Sequence, residues 1–83
     1  MTYFVYLLGS YKGKKLITYA GYTNNLIKRI KLHNSNKGAK FTKGRKWRLV
    51  YYKKFSSKSL AMKYEYSLKK NYKLRSKLKF NKL

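Results

Sequence analysis

Two stretches, TYFVYLL (2–8) and LITYAGY (16–22), are short, β-branched and aromatic, and the polar, glycine-containing GSYKGKK joins them. That pattern predicts a β-hairpin. With Lys12–Gly13 as a two-residue turn, Tyr6 sits directly opposite Tyr19, and any even-length loop keeps both tyrosines on one face of the sheet. TNNLIKRIKLHN (23–34) then switches to helical spacing, with Thr23 or Asn24 as the cap and Leu26, Ile27 and Ile30 as the buried stripe. Arg29 and His33 lie four apart on a neighbouring stripe of the same helix. Leu32 falls on the opposite side, where the pattern gives it no role. SNKGAKFTKGRK (35–46) reads as a basic loop and WRLVYYKKF (47–55) as a third strand.

SSKSLAMKYEYSLKKNY (56–72) opens with a capping Ser57 and carries Leu60, Ala61, Tyr64 and Leu68 on one helical face. Glu65 lies about 70° from the centre of that face, at the border of core and solvent. The tail is apolar at Leu74, Leu78 and Phe80, which predicts a short docked third helix. The expected architecture is α/β, a small three-stranded mixed sheet flanked by helices in the order β-β-α-β-α-α. There are no repeats and no linker, so residues 1–83 are expected to form one domain.

Charge changes the picture most. The chain has 23 Lys or Arg against a single acid, a net charge of +22 on 83 residues. Self-repulsion on this scale is relieved by a polyanion, and nucleic acid is the expected partner. DNA is the leading choice with RNA left open, and an anionic membrane surface is a distant second. The 43% hydrophobic content, ten Tyr and absence of Pro argue against disorder. With no long apolar run and no basic-then-apolar leader, an intracellular location is expected, cytoplasmic or nucleoid, or the host cell if the source is viral. Oligomeric state is not legible.

Composition also removes most chemistries. No Cys and one His leave no zinc site of the usual ligand set. No Asp leaves no Ser-His-Asp triad, and a lone Glu cannot make a two-carboxylate glycosidase or a carboxylate-rich two-metal site. Tyr, Lys, Arg, His33 and Glu65 remain. Lys37, Lys40, Lys43, Arg45 and Lys46 suit a loop that tracks phosphates.

Taken together these residues resemble the GIY-YIG endonucleases. The two name-giving motifs appear as Phe4-Val5-Tyr6 and Tyr19-Ala20-Gly21, Arg29 follows Gly21 by eight residues and His33 follows four later, and Glu65 sits on the second helix. The segment HNSNKGAKFTKGR is similar to the small stand-alone bacterial subgroup, itself similar to the catalytic subunit of structure-specific junction nucleases. The resemblance spans about residues 3 to 70. It implies metal-dependent hydrolysis of DNA phosphodiesters leaving 5′-phosphate ends, with a preference for branched, flapped or single-stranded DNA. It makes Tyr6 the general base or its relay, Tyr19 the group that orients water, Arg29 the anchor for non-bridging oxygens and His33 an aid to proton transfer or phosphate binding. Glu65 becomes the ligand for Mg²⁺ or Mn²⁺. An Asn after the Glu is also implied, for which Asn71 and Asn81 are available. Tyrosine's ordinary pKa of about 10 makes it a poor base unless cations lower it, and so basic a chain predicts such lowering and an alkaline optimum. The competing class is a non-catalytic basic nucleic-acid-binding protein, ribosome-associated or an inactive family member.

Overall fold

Strands β1 (Tyr3–Lys12), β2 (Lys15–Thr23) and β3 (Arg48–Phe55) form one sheet in the order β2-β1-β3, with helices α1 (Leu26–Asn34) and α2 (Lys58–Lys70). A short helix α3 covers residues 73–77. The computed structural model describes residues 1–35, 37, 40, 44–71 and 73–77; Lys43, Leu78, Phe80 and Asn81, named above, lie outside them. The element order is the expected one. The sheet is not mixed, because both pairings of β1 are antiparallel. The α1 crossover does bring β3 back in the direction of β2, but β1 lies between them, so the two parallel strands never pair.

The hairpin turn falls one residue later than Lys12–Gly13. Lys12 pairs with Lys15, which leaves Gly13 and Lys14 in the turn. Gly13 has φ +62°, a left-handed conformation that only glycine adopts freely. The shift moves the register by two, so Tyr6 faces Gly21 rather than Tyr19, and Tyr19 faces Leu8. Parity is kept, and Tyr6, Leu8, Tyr19 and Gly21 share one face.

Each face of the sheet has its own core. Val5, Leu7, Ala20 and Val50 pack with Ala61 and Leu68 of α2, and Leu74 of α3 packs against them. On the other face, buried Tyr6, Leu8 and Trp47 pack with Tyr19, Leu26 and Ile30. A bulge opposite Leu7 and Leu8 inserts Val50 into β3. It lets Val50 and Tyr51, neighbours in sequence, both meet the α2 side. The Tyr51 and Tyr64 hydroxyls then share a hydrogen bond of 2.9 Å between β3 and α2.

The helices are shorter than their hydrophobic spacing implies. Asn25, not Thr23 or Asn24, caps α1: its Oδ1 accepts from the Lys28 amide at 3.1 Å. Thr23 instead braces the turn before it, its Oγ1 accepting from the Asn25 amide. Ser57 caps α2 as expected, accepting from the Leu60 amide. Two residues assigned to buried stripes are solvent-facing, Ile27 at 71% exposure and Leu60 at 49%. Both lie one step around the helix from its buried line, which runs through Leu26, Ile30 and His33 on α1 and through Ala61, Tyr64 and Leu68 on α2. Leu32, to which the pattern gives no role, is half-buried and lines a small depression with Asn25 and Lys28.

Candidate active site

Tyr6 reaches the site from the central strand, where burial on both sides fixes its ring. Its hydroxyl lies 3.0 Å from His33 Nε2, a buried contact that joins β1 to the last turn of α1. The direction of that bond follows the imidazole tautomer. Opposite Tyr6, Gly21 has no side chain, and a Cβ there would lie 2.6 Å from Tyr6 Cζ. The phenol therefore occupies the space that any other residue at position 21 would fill. Tyr19 adds a second ring, its centroid 5.2 Å from that of His33. Trp47 closes the far side of Tyr19 at 6.4 Å.

This packing sets the protonation of both groups. Burial pushes the Tyr6 pKa well above the ordinary tyrosine value, and Tyr19 adds to the rise; Arg29 opposes it and Glu65 reinforces it to a lesser degree. The expectation that surrounding cations lower the Tyr6 pKa is therefore reversed, because desolvation outweighs the one guanidinium nearby. Burial also holds the His33 pKa below its usual value, with Arg29 second in effect. At neutral pH the pair is a neutral phenol against a neutral imidazole.

A cleft of about 550 Å³ brings Tyr6, Tyr19, Arg29, His33, Lys37 and Glu65 to one surface. They come from β1, β2, α1, the segment just after it and α2, and the edge position of β2 makes this possible, since residues from both faces of the sheet can meet around it. Glu65 approaches on α2 with its side chain only 18% exposed, and its ion pair with Lys69 is long at 3.7 Å. Such a pair is weak and leaves the carboxylate directed into a basic cleft. Among the described residues no three His, Cys, Asp or Glu side chains converge. One carboxylate suits a hard cation whose remaining ligands are water and phosphate oxygens, and does not suit zinc.

The basic loop divides. Lys37 lines the cleft, whereas Arg45 and Lys46 line a different groove and Lys40 lines neither. Asn71 is not at the cleft either; it ends α2, and its Oδ1 accepts from the Leu74 amide. Lys58, to which the sequence alone assigned no role, does line the cleft. Its signal was available: seven residues before Glu65 is two helical turns, hence the same side of α2. Asn34 was missed as well. Its Nδ2 donates to the Trp47 carbonyl at 3.0 Å and its Oδ1 accepts from the Trp47 amide at 2.6 Å, tying the two ends of residues 35–46 together beneath Tyr19.

A sheet edge that gathers two tyrosines, a histidine, an arginine and a glutamate, with a glycine making room for one phenol, defines a class. The chain belongs to the GIY-YIG catalytic domain family, whose model matches residues 2–79. It is 55% identical over 53 residues to the UPF0213 protein YazA of Bacillus subtilis, a match covering 63% of this chain and 54% of that one. A UPF0213 protein of Oceanobacillus iheyensis is 52% identical over 52 residues, covering 61% of this chain and 60% of the relative. The chain thus spans less than two thirds of these relatives' length. The solution NMR structure of a UPF0213 protein from Bacillus halodurans superimposes with a TM-score of 0.55 at 41% identity, covering 94% of this chain and 82% of the other.

Proposed function

We propose that the protein is a divalent-metal-dependent endonuclease that hydrolyses DNA phosphodiester bonds at the β2 edge cleft. One observation carries the reading: the chain's only acid, Glu65, lines the same cleft as the Tyr6–His33 pair and Arg29. In a chain with 23 basic residues, a surface partner for a lysine gives no reason for that convergence.

The residues divide the work among them. Arg29 pairs with the non-bridging oxygens of the scissile phosphate and stabilises the charge that builds there. Lys37 and Lys58 hold flanking phosphates. Tyr19 orients the attacking water. Tyr6 need not ionise in advance: its oxygen takes a proton from the water as its own proton passes to His33 Nε2, so the neutral pair acts as one base. The water oxygen bonds to phosphorus as the bond to O3′ breaks, and the departing oxygen gains a proton from solvent. The products are a 5′-phosphate and a 3′-hydroxyl. Glu65 is the residue that would hold Mg²⁺ or Mn²⁺, which when bound supplies Lewis-acid stabilisation of the phosphate. Branched, flapped or single-stranded DNA is the proposed substrate form.

The test is cleavage of labelled flap, fork and single-stranded DNA with Mg²⁺, with Mn²⁺ and with chelator, for wild type and Glu65→Gln. Metal-dependent nicking that the variant loses, with DNA binding retained, is the expected result. Salt-sensitive binding with no cutting by wild type in any metal would make the chain a nucleic-acid-binding module.

A further inference from the structure

Arg45 and Lys46 turn away from the cleft into a second groove of about 640 Å³, at the turn end of the hairpin. Three parts of the chain meet there. Lys12 comes from the end of β1, Arg48 from the start of β3 opposite Gly9, and Arg45–Lys46 from the turn after Gly44, whose φ of +77° lets the backbone reverse. Among the described residues, none that lines this groove lines the cleft. From Tyr6 to Lys12 is six residues of β1, about 20 Å at strand rise. That is over half of the molecule's longest dimension of 37 Å.

Four cations in one concavity repel one another, and the chain's single acid sits elsewhere. Among the described residues the groove holds no counter-charge of its own, and an external polyanion relieves that repulsion. Tyr11 supplies a wall that is 60% exposed, an aromatic face against which a sugar or base packs.

We propose that this groove is a second nucleic-acid backbone site, which grips the substrate away from the bond being cut. The proposal rests on the reading of the edge cleft as a nuclease site. A separation of about 20 Å corresponds to roughly six nucleotide steps of a B-form strand. The site thereby sets a minimum footprint: substrate that ends within a few nucleotides of the cleavage point reaches the cleft but not the groove.

The test compares wild type with Arg45→Ala/Arg48→Ala and with a control of equal charge, Lys31→Ala/Lys63→Ala, which alters exposed positions outside both sites. Binding of fluorescent DNA is read in chelator as salt is varied, on oligonucleotides of increasing length. Removing two phosphate contacts should reduce the slope of log affinity against log salt by about 1.8 on duplex DNA. The control should leave the slope unchanged. Wild type should also gain affinity as length passes roughly six nucleotides beyond the cleft, and the groove variant should lose that gain. In cleavage, KM should rise with kcat unchanged. Circular dichroism checks folding, and Lys12→Ala/Lys46→Ala repeats the test at two further positions of the groove. A slope and length dependence equal to the control's in both groove variants would overturn the proposal. So would binding of phosphatidylserine vesicles that the groove variants lose while DNA binding is unchanged. Because binding is read without turnover, a chain that grips DNA here yet never cuts would sink the nuclease reading and leave the groove standing.

Discussion

A single missing side chain decides whether Tyr6 can sit where it does. Gly21→Ala places a methyl group against the phenol, and a displacement on the order of 1 Å at a reacting group costs about 10²-fold in rate. Single-turnover cleavage should fall by that order while DNA affinity, carried by the surrounding cations, holds. In the proposed relay, His33 sets the pH dependence. Its folded pKa lies below the unfolded value of about 6.5, so below that pH the unfolded chain binds the proton more readily and stability declines. The cleavage rate should show an acid limb below about pH 6.5 and then stay level through pH 9, since the relay uses the neutral phenol. A rate still climbing toward pH 10 would mean that phenolate is required and would overturn the relay. His33→Gln should abolish the acid limb along with most of the rate.

Among the elements, α2 carries the heaviest structural duty, since it fills one core and delivers Glu65 and Lys58. Leu68 is fully buried beneath it. Leu68→Ala should cost about 2–5 kcal/mol, a fall in melting temperature on the order of 10–40 °C, followed by far-UV circular dichroism on heating. Ser57→Ala should cost only about 1 kcal/mol through the lost cap. The order of elements was legible from the chain because strand and helix periods alternate cleanly and Ser57 marks a helix start. Parity put both tyrosines on one face from sequence alone, whereas the register did not follow, because it depends on which residue takes the left-handed turn position. Ile27 and Leu60 misled for a related reason: periodicity reports which side of a helix is apolar, not how wide an arc of it the sheet covers. The bulge at Val50 breaks the alternation of β3 and leaves no mark in hydropathy. The site's convergence was readable only through resemblance. Nothing local to Glu65 says that an edge strand will bring it round to the face of Tyr6.

At the scale of the molecule, charge outweighs every other influence. A net charge of +22 on a chain with one acid means that screening helps the fold as well as hindering binding. Raising salt from about 50 to 500 mM should raise the melting temperature while it weakens DNA affinity, two opposite trends in one titration checked by scanning fluorimetry and anisotropy. No helix among the described residues is long and apolar enough to cross a membrane. The Asn34 bridge to Trp47 has a consequence for engineering. It closes the chain like a buckle across residues 35–46, holding the end of α1, which carries His33, against Trp47 beside Tyr19. Doubling the length of such a loop costs only about 0.6 kcal/mol in closure entropy. A short peptide tag or a binding module for a chosen DNA sequence can therefore be spliced between Lys37 and Gly44, with the buckle keeping the two flanking sites in place.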